Sequence, residues 1–259
     1  MSQILIKTPE HIEWIRKASK LTAMTLDMIG QYVRAGVTTL ELDTIMNAYI
    51  QKNGGISACI DYLGNNKYGK WGYPRCTCIS LNDIVCHGIP REDEILKDGD
   101  ILNIDVTTIV DSYYGDASRM YTVGEISEKA RHIIDVAKRS WEIGIAQVRP
   151  GNHFGNIGYE IAKYAESEGC SVVRDYTGHG VGVYFHEEPY VYHKAEKNSG
   201  PKMQTGMVFT IEPMINDGKY ATKLDKDEWT VRTKDGSLSA QWEHTILVTE
   251  TGYEILTNV

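Results

Sequence analysis

Apolar residues recur at helical spacing in four segments of the chain. The first pattern starts after Thr8, where Pro9 suits an early helical position, and its apolar positions continue to Val33. A second helix is predicted before the Asn-Gly-Gly turn at 53–55, and two more follow on either side of a Pro-Gly turn at 150–151. The predicted helices cover about 9–33, 39–52, 128–147 and 154–168.

Strand-like runs follow each helical pair, and parts of the first half recur in the second. The predicted strand regions are 100–123, 171–173, 207–214 and 240–249. Val33-Arg34-x-Gly36 recurs as Val148-Arg149-x-Gly151, an offset of 115 positions that also relates Tyr49 to Tyr164 and Gly54 to Gly169. The order favours an α+β fold built by duplication, in one domain over 1–259 with halves at about 1–124 and 125–259.

Composition narrows the class of protein. The 259 residues are 42% hydrophobic and 24% charged, and no run approaches the ~18 apolar residues that cross a bilayer. No signal peptide is evident, and five cysteines are too few and odd in number for a disulfide framework, so we expect a soluble cytoplasmic protein with reduced thiols. A net charge of −8 disfavours binding to nucleic acid or anionic membranes and is compatible with a cation in the active site.

Two aspartates interrupt consecutive strand-like runs. Asp105 and Asp116 flank a polar segment at 110–113 that is typical of a hairpin turn, so we expect them nearly opposite each other on antiparallel strands. Buried carboxylates this close repel unless they share a proton or hold a cation. The alternative is that one or both lie at strand ends in solvent.

Further candidate ligands follow in the second half. His179 lies among glycines at 178–182, His186 follows seven residues later, and Glu212 and Glu243 lie within apolar strands. The single-zinc motif H-E-x-x-H is absent, because Tyr190 stands where its second histidine would be. Either glutamate alone could face outward from its strand, but four acids and one imidazole together suit a paired site for Mn, Fe, Co or Zn.

These motifs, in this order, resemble type I methionine aminopeptidases of the bacterial kind. The similarity runs along nearly the whole chain and implies the duplicated pita-bread α+β fold. The motifs that carry it are N-I-D-V at 103–106, G-D-A-S at 115–118, G-H-G-V-G at 178–182, F-H-E-E-P at 185–189, T-I-E-P at 210–213 and W-E-H-T at 242–245.

The resemblance implies two divalent metal ions, of undetermined identity, and a hydroxide as the nucleophile. It implies that Asp105 binds one ion, that His179 and Glu212 bind the other, and that Asp116 and Glu243 bridge the two. Glu212 is also the implied general base. His87 is implied to lie near the scissile nitrogen, and His186 to hydrogen-bond the substrate carbonyl.

The resemblance also implies a pocket for the methionine side chain, which aromatic faces and thiols suit. The residues implied to line it are Cys59, Tyr62, Tyr73, Cys78, Phe185 and Trp229. Relative to the shortest family members, residues 65–72 look like an insertion of about eight residues, which falls between Tyr62 and Tyr73. A thiol dyad of Cys86 with His87 is discounted, because adjacent strand residues face opposite ways. No role is predicted for His11, His132, His153, His193 and His244.

The predicted function is hydrolytic removal of the initiator methionine from nascent chains with a small second residue. The predicted enzyme is a monomer that works near the ribosome without binding membrane or nucleic acid. A proline-directed peptidase, either aminopeptidase P or prolidase, is the enzymatic alternative, since it shares fold and ligands. A catalytically silent binding protein on the same fold is the alternative from another class.

Overall fold

The computed structural model describes residues 3–64 and 72–258, so most of the predicted insertion at 65–72 lies outside the described residues. Four α-helices form within these ranges. Thr8 and Thr38 begin the first two helices with capping boxes, in which each threonine side chain accepts the N–H of the third helical residue. The helices are α1 (Pro9–Ile29), α2 (Thr39–Lys52), α3 (Glu128–Ile145) and α4 (Gly155–Ser167), with a 3₁₀ turn at Gly30–Tyr32.

Two predicted helices end earlier than expected. After α1 the chain tightens into the 3₁₀ turn, where the Val33 N–H donates to the Gly30 carbonyl oxygen. After α3, the N–H groups of Gln147 and Val148 donate three residues back, to Gly144 and Ile145. Hydrogen bonds of this shorter span close both helices, while the apolar pattern runs on beyond them.

A curved nine-stranded sheet and two three-stranded sheets make up the β structure of the described residues. The strand order of the large sheet is β1-β4-β5-β14-β9-β7-β8, with β2 paired to β4 and β15 to β14. The small sheets have the orders β13-β10-β6 and β11-β12-β3. The strands are β1 (Ile56–Ser57), β2 (Cys78–Leu81), β3 (Ile84–Cys86), β4 (Ile101–Val110), β5 (Tyr113–Thr122), β6 (Ser171–Val172), β7 (Gly178–Gly180), β8 (Glu187–Val191), β9 (Val208–Ile211), β10 (Met214–Asn216), β11 (Thr222–Leu224), β12 (Val231–Thr233), β13 (Ser239–Gln241), β14 (Glu243–Val248) and β15 (Tyr253–Ile255).

Each helix pair packs its own hydrophobic core against this sheet. Ile29, Leu42 and Met46 of α1 and α2 pack with residues of β2, β4 and β5. Ile133 and Ile157 of α3 and α4 pack with residues of β9 and β14. The α+β class and the two helix pairs are therefore as predicted, while the division into halves at about residue 124 stays a prediction. Within the described ranges, no helix combines the length and the apolar character needed to span a membrane.

The β4–β5 hairpin sets the geometry of the first two acids. Its two-residue turn at Asp111 and Ser112 has φ values of 49° and 69°, as a tight hairpin turn requires. Asp105 lies opposite Ser118, whereas Asp116 lies opposite Thr107. The hairpin turn and the near-opposite placement of the two aspartates are therefore as predicted, with an offset of two positions from directly opposite. The aspartates are diagonal neighbours on the same sheet face, still within reach of each other.

Candidate metal centre and substrate cavity

A cavity of about 330 Å³ opens beside the large sheet. All thirteen site residues predicted from the sequence line it, although they come from both halves of the chain. They are Cys59, Tyr62, Tyr73, Cys78, His87, Asp105, Asp116, His179, Phe185, His186, Glu212, Trp229 and Glu243. The structure therefore brings the whole predicted set together, while the role of each residue stays a prediction.

The five candidate metal ligands come from neighbouring strands of the large sheet. Asp105 and Asp116 lie on β4 and β5, His179 on β7 and Glu243 on β14, and Glu212 directly follows β9. Glu243 pairs with Ser118 on β5, two positions from Asp116. Residues two apart on a strand share a face, so strand pairing alone places these acidic side chains side by side.

The distances in this cluster suit a cation. Ligand atoms of Asp116, His179 and Glu243 all lie within 4.8 Å of one another. The Nε2 atom of His179 lies 3.6 Å from Asp116 Oδ2 and 3.7 Å from Glu212 Oε1. On the other side of the ring, Nδ1 lies 3.0 Å from the Gly180 carbonyl oxygen. A proton on Nδ1 leaves the Nε2 lone pair directed at the carboxylates, which is the tautomer a metal ligand needs.

Burial dominates the electrostatics of the four acids. Burial raises the pKa of Asp116 to about 7 and that of Glu212 to about 8. Burial and the neighbouring carboxylates raise the pKa values of Asp105 and Glu243 well above the usual range. Burial also lowers the pKa of His179 to about 4, so its ring is neutral at pH 7. Buried carboxylates beside a neutral imidazole fit divalent cations, which would compensate the repelling charges.

Hydroxyl side chains that sequence reasoning missed hold two of these acids. Thr107 donates to Asp116 Oδ1 at 2.7 Å, and Thr210 donates to Glu212 Oε1 at 2.7 Å. Thr210 Oγ1 also accepts the N–H of His179 at 3.0 Å. Thr107 and Thr210 lie two positions from Asp105 and Glu212, so a search for polar residues on the ligand-bearing strand face could have found them.

His193, for which no role was predicted, supports the backbone at Glu212. It is buried, and its Nε2 accepts the Glu212 N–H at 3.0 Å. Burial lowers the pKa of His193 to about 3, which keeps the ring neutral and able to accept. The two residues lie 19 positions apart, and no local pattern in the sequence indicates this contact.

The other end of the cavity is apolar and rich in thiols and aromatic rings. Cys59, Tyr73 and Cys78 are buried together, with Tyr62, Phe185 and Trp229 packed against them. The rings of Tyr73 and Trp229 meet edge to face at 5.3 Å. Tyr73, which follows the predicted insertion, donates a 2.8 Å hydrogen bond from its hydroxyl to the Gly88 carbonyl oxygen.

Two further histidines line the cavity. His87 follows β3 with a left-handed φ of 55°, and its ring meets Tyr176 edge to face. His186 Nδ1 lies 2.9 Å from the Tyr62 hydroxyl, and its ring centroid is 4.1 Å from that of His179. Burial lowers the pKa of His87 to about 4 and that of His186 to about 2, so both rings are neutral.

The environment of Cys86, next to His87, is that of an unreactive buried thiol. It is buried among Val85, Val173, Met214 and Val231, and burial raises the pKa of its thiol well above the usual range. A thiol held in its protonated form is a poor nucleophile. The discounted thiol dyad thus gains no support here, although the strand ends at Cys86 and the predicted alternation of faces does not extend to His87.

Comparison with known proteins identifies the family. The model of metallopeptidase family M24 matches residues 13–250. The methionine aminopeptidase of Salmonella typhimurium is 52% identical over 255 residues, which cover 98% of this chain and 94% of that protein. The methionine aminopeptidase of Escherichia coli K12 is 49% identical with the same coverage.

Solved structures agree with the sequence relatives. Methionine aminopeptidase from Rickettsia prowazekii superposes with a TM-score of 0.94 at 47% identity, covering 99% of this chain and all of that one. Prolidase from Pyrococcus furiosus superposes with a TM-score of 0.78 at 23% identity, covering 98% of this chain and 65% of that one. The prolidase likeness shows the shared pita-bread fold alone. The chain belongs to metallopeptidase family M24 and, within that family, to the methionine aminopeptidases.

Proposed function

We propose that this chain hydrolyses the peptide bond after an N-terminal methionine whose second residue is small. The observation that carries the proposal is one cavity with a buried carboxylate–imidazole cluster at one end and a thiol–aromatic pocket at the other. An exopeptidase of this kind needs both parts, a centre that activates water and a neighbouring recess for one side chain.

Two divalent ions are proposed at the acidic end. Asp105 would hold one ion, His179 and Glu212 the other, and Asp116 and Glu243 both. When bound, the ions would lower the pKa of a water molecule and polarise the scissile carbonyl group. The donor set of oxygens with one imidazole is compatible with Mn, Fe, Co or Zn.

Glu212 is proposed to take the proton of the attacking water. Burial raises its pKa to about 8 in the metal-free state, and a bound cation would lower that value. A base with a pKa near the working pH transfers protons efficiently in both directions. The Thr210 hydroxyl on Oε1 fixes the orientation of the carboxylate.

The neutral histidines are proposed to act on the substrate amide. His186 would donate a hydrogen bond to the scissile carbonyl oxygen, and the Tyr62 hydroxyl at its Nδ1 orients the ring for this task. His87 would face the scissile nitrogen. The methionine side chain would lie among Cys59, Cys78, Tyr73 and Trp229, where sulfur and aromatic faces meet a thioether favourably.

Further proposals follow from this substrate. The natural substrates would be the N-termini of nascent proteins, which the enzyme would process in the cytoplasm near the ribosome. The enzyme would be a monomer that binds neither membrane nor nucleic acid directly. The net charge of −8 supports the last part, because nucleic-acid surfaces attract basic proteins.

The test is peptide cleavage by metal-depleted protein. Met-Ala-Ser and Ala-Pro-Ala would be incubated with and without Mn²⁺ or Co²⁺, and release of the first residue would be followed by mass spectrometry. We expect metal-dependent release of methionine alone. Release from Ala-Pro-Ala alone would move the chain to the proline-directed enzymes, and cleavage of neither peptide would favour the silent binding protein.

A further inference from the structure

The connection from β7 to β8, residues 181–186, carries two cavity residues, Phe185 and His186. Its backbone is tied at several points. The Gly182 N–H donates to the Tyr184 carbonyl oxygen at 3.1 Å, and the Gly182 carbonyl oxygen accepts the N–H of Tyr114 from β5 at 2.9 Å. The position of His186 therefore depends on how this connection is held.

A buried ion pair holds the connection from the outside of the cavity. Lys7, in the segment before α1, pairs through Nζ with Glu187 Oε2, and the two side chains are only 1% and 6% exposed. The other oxygen of the same carboxylate, Oε1, accepts the N–H groups of Val183 and Tyr184, both at 2.8 Å. One carboxylate thus joins the N-terminal segment to the backbone just before Phe185 and His186.

Packing around the pair leaves little freedom. A Cβ atom at Gly182 would lie 2.4 Å from Ile15 Cδ1 and 3.5 Å from Lys7 Cε, so the connection runs directly against α1 and the lysine stem. The N–H of Lys7 donates to the Gly206 carbonyl oxygen at 2.8 Å, just before β9, the strand that leads to Glu212. Lys7 therefore holds one of the two segments that run into the site through the Glu187 carboxylate, and it bonds directly to the backbone before the other.

We propose that Lys7 is a positioning residue for catalysis, which holds His186 in its productive place by fixing Glu187 and the connection it binds. The inference rests on the proposed function, because it takes His186 as the group that contacts the substrate carbonyl. Lys7 itself does not line the cavity. Burial lowers the pKa of Lys7, and a buried pair that carries such a desolvation cost is a poor source of net stability. Such a pair can instead fix the position of the connection that carries His186.

The first experiment is a double-mutant cycle on kcat/KM for Met-Ala-Ser. Lys7→Met is expected to lower kcat/KM by about 10- to 100-fold, because misplacement of a catalytic group by about 1 Å has effects of this size. Lys7→Arg, which keeps the cation, is expected to recover most of the loss.

In a His186→Ala background the Lys7→Met effect is expected to shrink below about threefold, because residues acting through one another are not additive. Lys20→Met on the exposed face of α1 is the control, with activity unchanged.

Hydrogen exchange gives a readout that does not need activity. Lys7→Met is expected to speed exchange at the amides of Val183 and Tyr184 while Mn²⁺ affinity stays unchanged. Should Lys7→Met fold poorly because it leaves an unpaired charge, the double variant Lys7→Met/Glu187→Gln removes both charges and is expected to show the same changes in exchange and in kcat/KM.

Two results would overturn the proposal. One is an equal Lys7→Met effect with and without His186, which would mean a general structural role. The other is unaltered exchange at both amides. If the wild-type protein releases no methionine, the proposed function fails, and the exchange data still report whether Lys7 holds the connection.

Discussion

The two ends of the cavity are built from different parts of the fold. Four of the five candidate ligands lie within strands of the nine-stranded sheet, and the fifth, Glu212, directly follows one. At the apolar end, Tyr62, Tyr73, Phe185 and Trp229 lie in connections between elements, and only Cys78 lies on a strand. The fold thus places the acidic end by strand pairing and the side-chain pocket by loops, the division expected where chemistry needs rigid support and recognition can vary.

The two ends also differ in the cost of burying their side chains. Burial raises the pKa values of the four acids, which means that each pays a desolvation cost when ionised. The thiol–aromatic end consists of thiols and aromatic rings, which need no charged partner. Changes at the acidic end should therefore have large effects on turnover and metal binding, whereas changes at the apolar end should alter substrate binding by smaller factors.

The largest expected effect is that of Glu212→Gln. The amide keeps the shape but can neither take a proton nor bind a cation as a carboxylate does, so turnover should fall by roughly 10²–10⁴. The measurement is kcat for Met-Ala-Ser at saturating Mn²⁺, together with calorimetric Mn²⁺ binding. Glu125→Gln, an exposed position, is the control. Nearly full turnover in Glu212→Gln would remove this residue from catalysis.

The second prediction concerns pH and metal affinity. In the metal-free protein Asp116 has a pKa of about 7 and Glu212 of about 8, so a metal ion must displace their protons at lower pH. Mn²⁺ affinity should rise between pH 6 and 8, by about tenfold per pH unit for each proton displaced.

The stability of the metal-free protein should change with pH in the opposite direction. Because folding raises these carboxyl pKa values, the folded state binds more protons than the unfolded state. The stability that these two groups contribute is full below their unfolded pKa values, near 4, and is lost as pH rises to their folded values of about 7 and 8. Burial lowers the pKa values of the cavity histidines and of His193, which act in the opposite direction below pH 6.5, so the fall in stability should show between about pH 6.5 and 8. Calorimetric titrations and thermal unfolding at several pH values check both trends, and an affinity that stays flat over this range would contradict the ligand set.

The acidic end of the cavity was also easier to predict from the sequence than the apolar end. The acids were visible because a charged residue within an apolar strand is unusual, and the period of two along a strand then indicates which residues share its face. The turn at Asp111 and Ser112 was visible as a polar break between the two runs, and it makes Asp105 and Asp116 diagonal neighbours, two positions from directly opposite.

The apolar end gave no such signal. Cysteines and aromatic residues are common in any core, and only the family resemblance singled out Cys59 or Trp229. The contacts of His193 with Glu212 and of Lys7 with Glu187 span 19 and 180 positions, so they exist only once the chain has folded. Local pattern therefore predicted the helices and the acidic strands, but not the long-range hydrogen bonds that orient them.

The third prediction tests the apolar end. Trp229→Leu removes the edge-to-face contact with Tyr73 and one wall of the pocket. An aromatic contact of this kind contributes about 0.5–1.5 kcal/mol beyond its buried area, which is about two- to tenfold. Because the variant also loses the apolar area of the indole, KM for Met-Ala-Ser should rise by about tenfold or more, with a smaller change in kcat. Trp14→Leu, on α1 and outside the cavity lining, is the matched control. A fall in kcat with KM unchanged would show that the indole serves the reacting groups and not the methionine side chain.

The smallest expected effect is that of Tyr62→Phe, at the boundary between the two ends. The variant keeps a ring against Phe185, whose centroid lies 4.9 Å away, and removes only the hydroxyl 2.9 Å from His186 Nδ1. One hydrogen bond contributes about 0.5–1.5 kcal/mol, so kcat should fall by about two- to tenfold with KM little changed. Tyr49→Phe on α2 is the control for loss of a hydroxyl outside the cavity lining. A rise in KM alone would place Tyr62 with the pocket, whereas a fall in kcat that disappears in a His186→Ala background would place it with the reacting groups.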